Sequence, residues 1–369
     1  MNQSVFRLIA ILSILSTLLG VSLNAWAVVN PKKKAKKKLR VIDIRGFGDS
    51  GFIGGNHQFH RPEEWAIEQK LLRVAPLRSP HVNFVNLEGT LVSECERFAS
   101  KRYSFVMAPE VLLSFARAGF NMFGLANNHS RDCQMPSPEQ EFAKINRFLR
   151  KMAPKTIWHG SASEPRELWQ SIPILVVRGV RIGMVAIKAW ENDVATSVGN
   201  LTNRHQIFQA LKEAKVDLRV LSLHGGEENK HVPTDLMIDI AREFVGIYDG
   251  DIVFGHHSHT IQGFEMLQKK DGRVASVFYS LGNFLHDGLS SRGEGMMAQV
   301  KATKRGVMPH SVQVFPLNSE SELPGPANSK DLRRARDIWR RSNRSIAARP
   351  LPRGTGLRRL SWELTPVQI

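Results

Sequence analysis

The sequence predicts an α/β protein with a layered core, and three observations predict it. Apolar segments of strand length alternate with segments of helical spacing along the chain. Clusters of Asp, Glu, Asn and His recur where the strand segments end. An apolar content of 42% over 369 residues is that of an ordinary globular chain with a substantial core.

The elements follow in order. Residues 39–44 read as a strand that runs into a glycine-rich turn over 45–51, and 63–75 have helical spacing. A second strand over 82–85 leads into Asn86-Leu87-Glu88-Gly89. Residues 109–118 form a helix stopped by Gly119, and the short strand 122–126 runs into Asn127-Asn128-His129. The next helix has Ser137 as N-cap, Pro138 in its first position and Gln140 completing a capping box; Phe142, Ile145, Phe148, Leu149 and Met152 are its buried stripe. Residues 172–177 and 181–187 form a hairpin around Arg178-Gly179-Val180. A helix over 203–214, a strand over 216–223 ending at His224, a helix over 233–246 and a strand over 251–254 ending at Gly255-His256-His257-Ser258-His259 come next. Strands over 274–280 and 311–315 close the sheet, and the rest is irregular apart from a short helix near 333–341.

Residues 1–27 have the parts of an export signal: Arg7, an apolar stretch over 8–23, and Ala25-Trp26-Ala27 at the cleavage position. Left uncut, the same segment is a membrane anchor. The lysine run that follows opposes export through the positive-inside tendency, while the small-residue cleavage pattern favours an exported, periplasmic or cell-surface protein. The organisation is therefore signal or anchor 1–27, Lys-rich linker 28–38, a single large domain 39–317, and a basic Pro/Arg-rich extension 318–369.

The net charge of +17 is concentrated in the flanks, with seven basic residues between Lys32 and Arg40 and eleven against five acidic ones beyond 317. The central domain has no basic stripe interleaved with aromatics, so a nucleic-acid role is disfavoured. Basic tails of this kind suit solvent, an anionic membrane or an anionic polymer. Cys95 and Cys133 are the only cysteines. In an oxidising compartment they would form one disulfide stapling two site loops; in a reducing one they are two thiols.

The candidate site gathers Asp49, Glu88, Asn128 with His129, His224, and His257 with His259. Each stands where a strand gives way to a loop, the position at which α/β sheets bind ligands. Singly, each has an ordinary reading as a turn residue, a cap or a satisfied imidazole. As a set they make a donor shell for a divalent ion such as Mn, Zn or Fe, one or two of them. Such ions activate water near neutral pH and clamp phosphoryl oxygens. Asn128 is a neutral carbonyl ligand, and His129 beside it is a catalytic acid or a substrate contact. His257 and His259, two apart in an extended segment, point to one side and His256 to the other.

Gly48-Asp49, Asn86-Leu87-Glu88, Ala126-Asn127-Asn128-His129, Leu223-His224-Gly225-Gly226-Glu227, Gly255-His256-His257-Ser258-His259 and Tyr279-Ser280-Leu281-Gly282-Asn283-Phe284 together resemble the CapA-type capsule biosynthesis, or poly-γ-glutamate synthesis, family within the calcineurin-like phosphoesterases. The resemblance covers about residues 39–317. It implies a four-layer α-β-β-α sandwich of the metallophosphatase-like type, and a cell-envelope role in making or anchoring a poly-γ-glutamate capsule with membrane partners of capsule synthesis. It also implies that Asp49, Glu88, Asn128, His224, His257 and His259 are metal ligands and that Asn128 and His129 are the catalytic pair. Two departures stand out. Glu88 replaces an Asp, and Gly51 stands where the superfamily has a His two residues after its first Asp, so one metal position is short of a ligand. Alternatives that keep the fold are a non-catalytic polymer-binding protein and a secreted phosphoesterase or nucleotidase. The last would need a base-stacking slot, for which Trp158, Trp169 and Trp190 are the candidates.

Overall fold

Strand pairing in the computed structural model, which describes residues 39–52, 59–60, 66–190, 197–287, 293–318 and 323–361, builds two large sheets and one small one. The expected signal and the Lys-rich run over 1–38 lie outside the described residues. The first sheet contains β1 (Ile42–Phe52), β3 (Val82–Leu87), β6 (Met122–Gly124), β7 (Ile157–His159), β14 (Asn283–Asp287), β15 (Gly295–Thr303), β16 (Gly306–Val307) and β17 (Gln313–Leu317). The second contains β8 (Ile174–Val177), β9 (Val180–Ala189), β10 (Leu218–Gly225), β11 (Ile252–His256), β12 (Phe264–Gln268), β13 (Val274–Phe278) and β18 (Arg358–Arg359). Short strands β2 (Phe59–His60), β4 (Thr90–Leu91) and β5 (Val106–Met107) form the third.

Side chains alternate across a strand, and here the alternation sorts the core into layers. Ile42, Ile44, Val82 and Phe84 of the first sheet meet Met184, Val220, Ile252 and Phe254 of the second, with Phe84 stacked on Phe254 at 4.9 Å. The opposite face of the first sheet, through Phe47, Val85 and Phe123, packs under α1 (Ile67–Arg73), α2 (Pro109–Arg117) and α3 (Pro138–Met152). After the short helix α4 (Glu167–Gln170), α5 (Arg204–Glu213) and α6 (Asp235–Ile247) cover the second sheet through Phe208, Leu211, Ala241 and Phe244. Helix, sheet, sheet, helix is the four-layer sandwich expected.

Within each large sheet the central strands are parallel: β1 with β3, β3 with β6, β9 with β10, and β10 with β11. Their carboxyl ends lie together, which is why residues far apart in sequence can share one site. The hairpin between β8 and β9 turns on Arg178 and Gly179, both at positive φ, the backbone a two-residue primed turn needs.

The structure corrects several local expectations. Residues 45–51 are not a turn but the second half of β1, which pairs with β15 over 42–46 and, past a register shift, with β14. Glycine permits this close approach: a Cβ on Gly48 would sit 1.9 Å from the Gly282 carbonyl oxygen. Ser137 stands at the N-cap of α3 but its side chain makes no cap hydrogen bond, so the expected capping box with Gln140 does not form. Met152, at the frayed end of the stripe, is exposed.

The C-terminal region differs most. In place of a short helix there is α7 (Ser329–Ala348), 20 residues long, started by a capping box between Asn328 and Asp331. Ala335, Ile338 and Trp339 join the core between the sheets, and Ile346 joins the core beneath α6. Its last turn is clasped by the buried Arg242 of α6, which donates to the carbonyls of Ile346 (2.9 Å) and Pro350 (3.0 Å) while forking onto Glu265 at 2.8 and 3.0 Å. An unpaired guanidinium would not stay in that apolar surrounding; the bidentate carboxylate holds it there.

Candidate metal centre

Asp49 enters from β1, Glu88 from the end of β3, Asn128 and His129 from the loop after β6, His224 from β10, and His257 and His259 from the loop after β11. The fold brings all seven together. Glu88 Oε1 lies 3.6 Å from His224 Nε2, 3.8 Å from His259 Nε2 and 3.9 Å from His129 Nε2. His224 Nε2 is 2.9 Å from Asn128 Oδ1, and the Asn86 amide bridges Asp49 Oδ1 (2.8 Å) and His224 Nδ1 (3.1 Å). Asp49 Oδ2 accepts the backbone N–H of His257 at 2.9 Å.

Burial is graded. Asp49, Glu88, His224 and His256 are fully buried, whereas the side chains of His129 and His259 are 10% and 16% exposed. The centre therefore opens toward the His129 and His259 side. The backbone is strained at its edge: His257 and His259 have φ of 91° and 55°, a left-handed conformation that disfavours L side chains. Strain of this sort persists where the surroundings enforce it, commonly at functional sites.

That strain also explains a correction. His256 does not face away, because the segment stops being a strand at His256 and alternation no longer applies; its Nδ1 lies 3.1 Å from Asp49 Oδ1. His286 on β14, Glu228 beyond β10, and Asp132 were not singled out from sequence, yet His286 Nε2 is 3.6 Å from Glu88 Oε2. Asp132 Oδ2 makes a short contact with His129 Nδ1, while its other oxygen accepts from Lys101 at 2.6 Å. Phe105 stacks on the His129 ring at 3.8 Å, so carboxylate and phenyl together fix the imidazole and aim Nε2 inward. Of these additional groups only Glu228, next to the quoted Gly226-Glu227, stood close to a sequence signal.

The electrostatics are those of a carboxylate pair wrapped in imidazoles. Burial pushes the Glu88 carboxyl up to about 7, with the nearby Asp49 charge adding to it against the pull of His259 and His129. Burial acts on Asp49 in the same sense, but the His256 hydrogen bond and the surrounding imidazoles hold it well below the usual carboxylate range. Burial keeps His224 far below its ordinary value and, with the His259 charge, brings His257 down to about 4. His259 goes the other way: burial opposes its charge, but Glu88 and Asp49 raise it. His224 and His257 are thus neutral at physiological pH, the form that ligates metal.

Neither oxygen of Glu88 accepts a hydrogen bond among the described residues, and Nδ1 of His257 has no hydrogen-bond partner there. Buried polar atoms left this way cost free energy unless a further group satisfies them. Glu88, His224 and His257 present ligand atoms within 4.8 Å of one another, as do Glu88, His259 and His286, and Glu228, His257 and His259. Mixed imidazole and carboxylate donors fit a divalent transition ion.

The sequence matches the family model of the bacterial capsule synthesis protein PGA_cap over residues 47–288. The chain belongs to that family. In this PGA_cap protein the matched stretch begins at the site strand β1 and ends just past β14, so it encloses every residue of the centre. No curated protein matches the chain. Solved structures similar to it include a phosphatase from Mycoplasma pneumoniae, at 11% identity and TM-score 0.46, covering 77% of this chain and 95% of that one. A hypothetical protein from Thermus thermophilus is similar at 12% identity and TM-score 0.41, covering 76% of this chain and 100% of that one. A 5'-nucleotidase from Candida albicans is similar at 9% identity and TM-score 0.37, covering 84% of this chain and 56% of that one.

Proposed function

We propose that this PGA_cap protein is a divalent-metal-dependent hydrolase or transferase of the cell envelope that acts on a phosphoester or amide bond in making or anchoring poly-γ-glutamate. The observation that carries the reading is Glu88: fully buried, with both oxygens lacking hydrogen bonds among the described residues, and ringed by His129, His224, His259 and His286. A scaffold without a ligand here would gain from apolar packing instead.

The chemistry supplied by one or two bound manganese, zinc or iron ions is polarisation of a phosphoryl or carbonyl oxygen and activation of water near neutral pH. Asp49, Glu88, Asn128, His224, His257 and His259 would hold them. The Asp132 carboxylate accepts from His129 Nδ1, which leaves Nε2, on the open side of the centre, as the atom that can take up a proton and pass it to a leaving oxygen or nitrogen. Asn128 Oδ1 and His224 Nε2 lie 2.9 Å apart, close enough for both to reach one ion once the His224 nitrogen is unprotonated.

Support for an anionic polymer as partner comes from α7, whose outer face exposes Arg333, Arg336, Arg340, Arg341 and Arg344. Support for export comes from the Cys95–Cys133 disulfide, since such bonds persist in oxidising compartments. A nucleotide substrate has less to recommend it. Trp158 packs on the first sheet and donates to Asn146, Trp169 packs under the second, and only Trp190, edge-on to His257 at 4.8 Å, borders the centre.

The test is metal analysis of the purified protein beside its Asp49→Ala and His257→Ala variants, with phosphodiester and poly-γ-glutamate cleavage measured on the same samples. Metal and turnover present in the wild type and lost in both variants are expected. A wild type that takes up no manganese, zinc or iron and cleaves nothing refutes the reading; metal without turnover replaces it with a polymer-binding role.

A further inference from the structure

Gly51 is the residue at which the centre departs from the resemblance, and the structure fills the space beside it from another strand. β1 and β14 run parallel, with Gly51 paired to His286. A Cβ on Gly51 would lie 3.1 Å from His286 Nε2 and 3.3 Å from its Cδ2. The imidazole of His286 thus occupies the volume into which a side chain at position 51 would extend. It is directed at the acidic centre: its side chain is 1% exposed, Nε2 is 3.6 Å from Glu88 Oε2, and its ring lies 5.0 Å from that of His259. Phe105 flanks it edge-on at 5.6 Å, restricting the ring from the side.

We propose that His286 is a metal ligand, supplying from β14 the imidazole that β1 lacks, so that the centre holds two cations that share Glu88. His224, His257 and Asn128 serve one cation, and His259 and His286 serve the other. Glu88 stands between the two sets, with Oε1 3.6 Å from His224 Nε2 and 3.8 Å from His259 Nε2 and Oε2 3.6 Å from His286 Nε2, so its carboxylate would lie within reach of both cations. Asp49, between His256 and His259, neutralises the second position. A glycine at 51 then suits the arrangement, because even a Cβ there would press to 3.1 Å on the donor that replaces it.

The inference rests on the metal-centre reading above, and its test separates the two. Metal-free full-length protein is titrated with manganese, with bound ions counted by elemental analysis and the manganese pair followed by low-temperature electron paramagnetic resonance. The wild type is expected to bind about two ions per chain and to show the coupled-pair signal, and His286→Ala about one without it. His286→Gln, which keeps bulk and polarity without an imidazole, carries the same expectation, and circular dichroism checks that both variants fold. Gly51→His combined with His286→Ala moves the imidazole back to β1 and is expected to restore the second ion. If His286→Ala and His286→Gln both hold the wild-type number of ions with unchanged affinity, His286 is not a ligand, although the centre stands. If the wild type binds no ion at all, the metal-centre reading falls and this inference with it.

Discussion

Reducing the Cys95–Cys133 disulfide should lower the stability of the protein by a calculable amount while leaving its native structure in place. The bond joins the loop after β4 to the loop that carries His129, across a separation of 38 residues. The two loops are held together independently of it: Ala99 N–H donates to Asp132 O at 2.8 Å and Gln134 N–H to Arg97 O at 2.7 Å, on either side of the Phe98–Cys133 bridge. Breaking the bond therefore acts chiefly by releasing the unfolded chain. For a closed loop of 38 residues the released entropy is about 13 cal/mol/K, or about 4 kcal/mol at 25 °C. An unfolding entropy of about 2.1 cal/mol/K per residue over the unit 39–369 gives about 0.7 kcal/mol per degree, so Tm should fall by about 6 °C. The assay is differential scanning calorimetry of oxidised, reduced and Cys95→Ser/Cys133→Ser protein, with thiol titration under denaturing conditions. A reduced sample that melts within about a degree of the oxidised one, both thiols having been counted as freed, refutes the loop-entropy argument.

Two further outcomes test other parts of the structure. Arg242→Ala leaves the buried Glu265 carboxylate only Arg359 at 3.3 Å and the Tyr279 hydroxyl at 2.6 Å and loosens the end of α7, so urea denaturation should show a loss of about 3 kcal/mol, with Arg242→Lys between it and the wild type because lysine lacks the fork. Replacing Arg333, Arg336, Arg341 and Arg344 by Gln should weaken binding of labelled poly-γ-glutamate roughly tenfold at low ionic strength, measured by anisotropy, and flatten the salt dependence of what remains; equal affinity at every salt concentration would show that the α7 face is not the contact.

Much of the centre was legible in the sequence because its residues stand at the ends of parallel strands, where local pattern and function coincide. Asp49, Glu88, Asn128, His129, His224, His257 and His259 were all readable in that way. His286 was not, because β14 is a short strand of mixed Asn-Phe-Leu-His-Asp sequence with no clear period, and His286 becomes a neighbour of Gly51 only through the register of β14 on β1. His256 was misjudged because the alternation rule assumes an extended backbone, and the chain turns left-handed at His257. Ser137 and Gln140 spell a capping box that the structure does not use, since the Ser137 side chain makes no cap hydrogen bond. The length of α7 was hidden by its many arginines: the apolar positions that anchor it, Ala335, Ile338, Trp339 and Ile346, are sparse, and their partners come from distant elements. The α/β layering was read correctly from the alternation of strand and helix segments, and the four-layer order from the family resemblance.

The candidate ligands of the centre are strung from residue 49 to residue 286, and β1 acquires β14 only when nearly the whole chain has arrived. No early folding fragment contains the complete candidate donor set, so an ion held by all of these residues would enter only after β14 has joined β1. First-row divalent ions follow a fixed order of intrinsic affinity for such donors, so what the site holds depends on which ions surround the chain as it closes. If the centre holds such an ion, the place of folding would thereby bear on which ion it is.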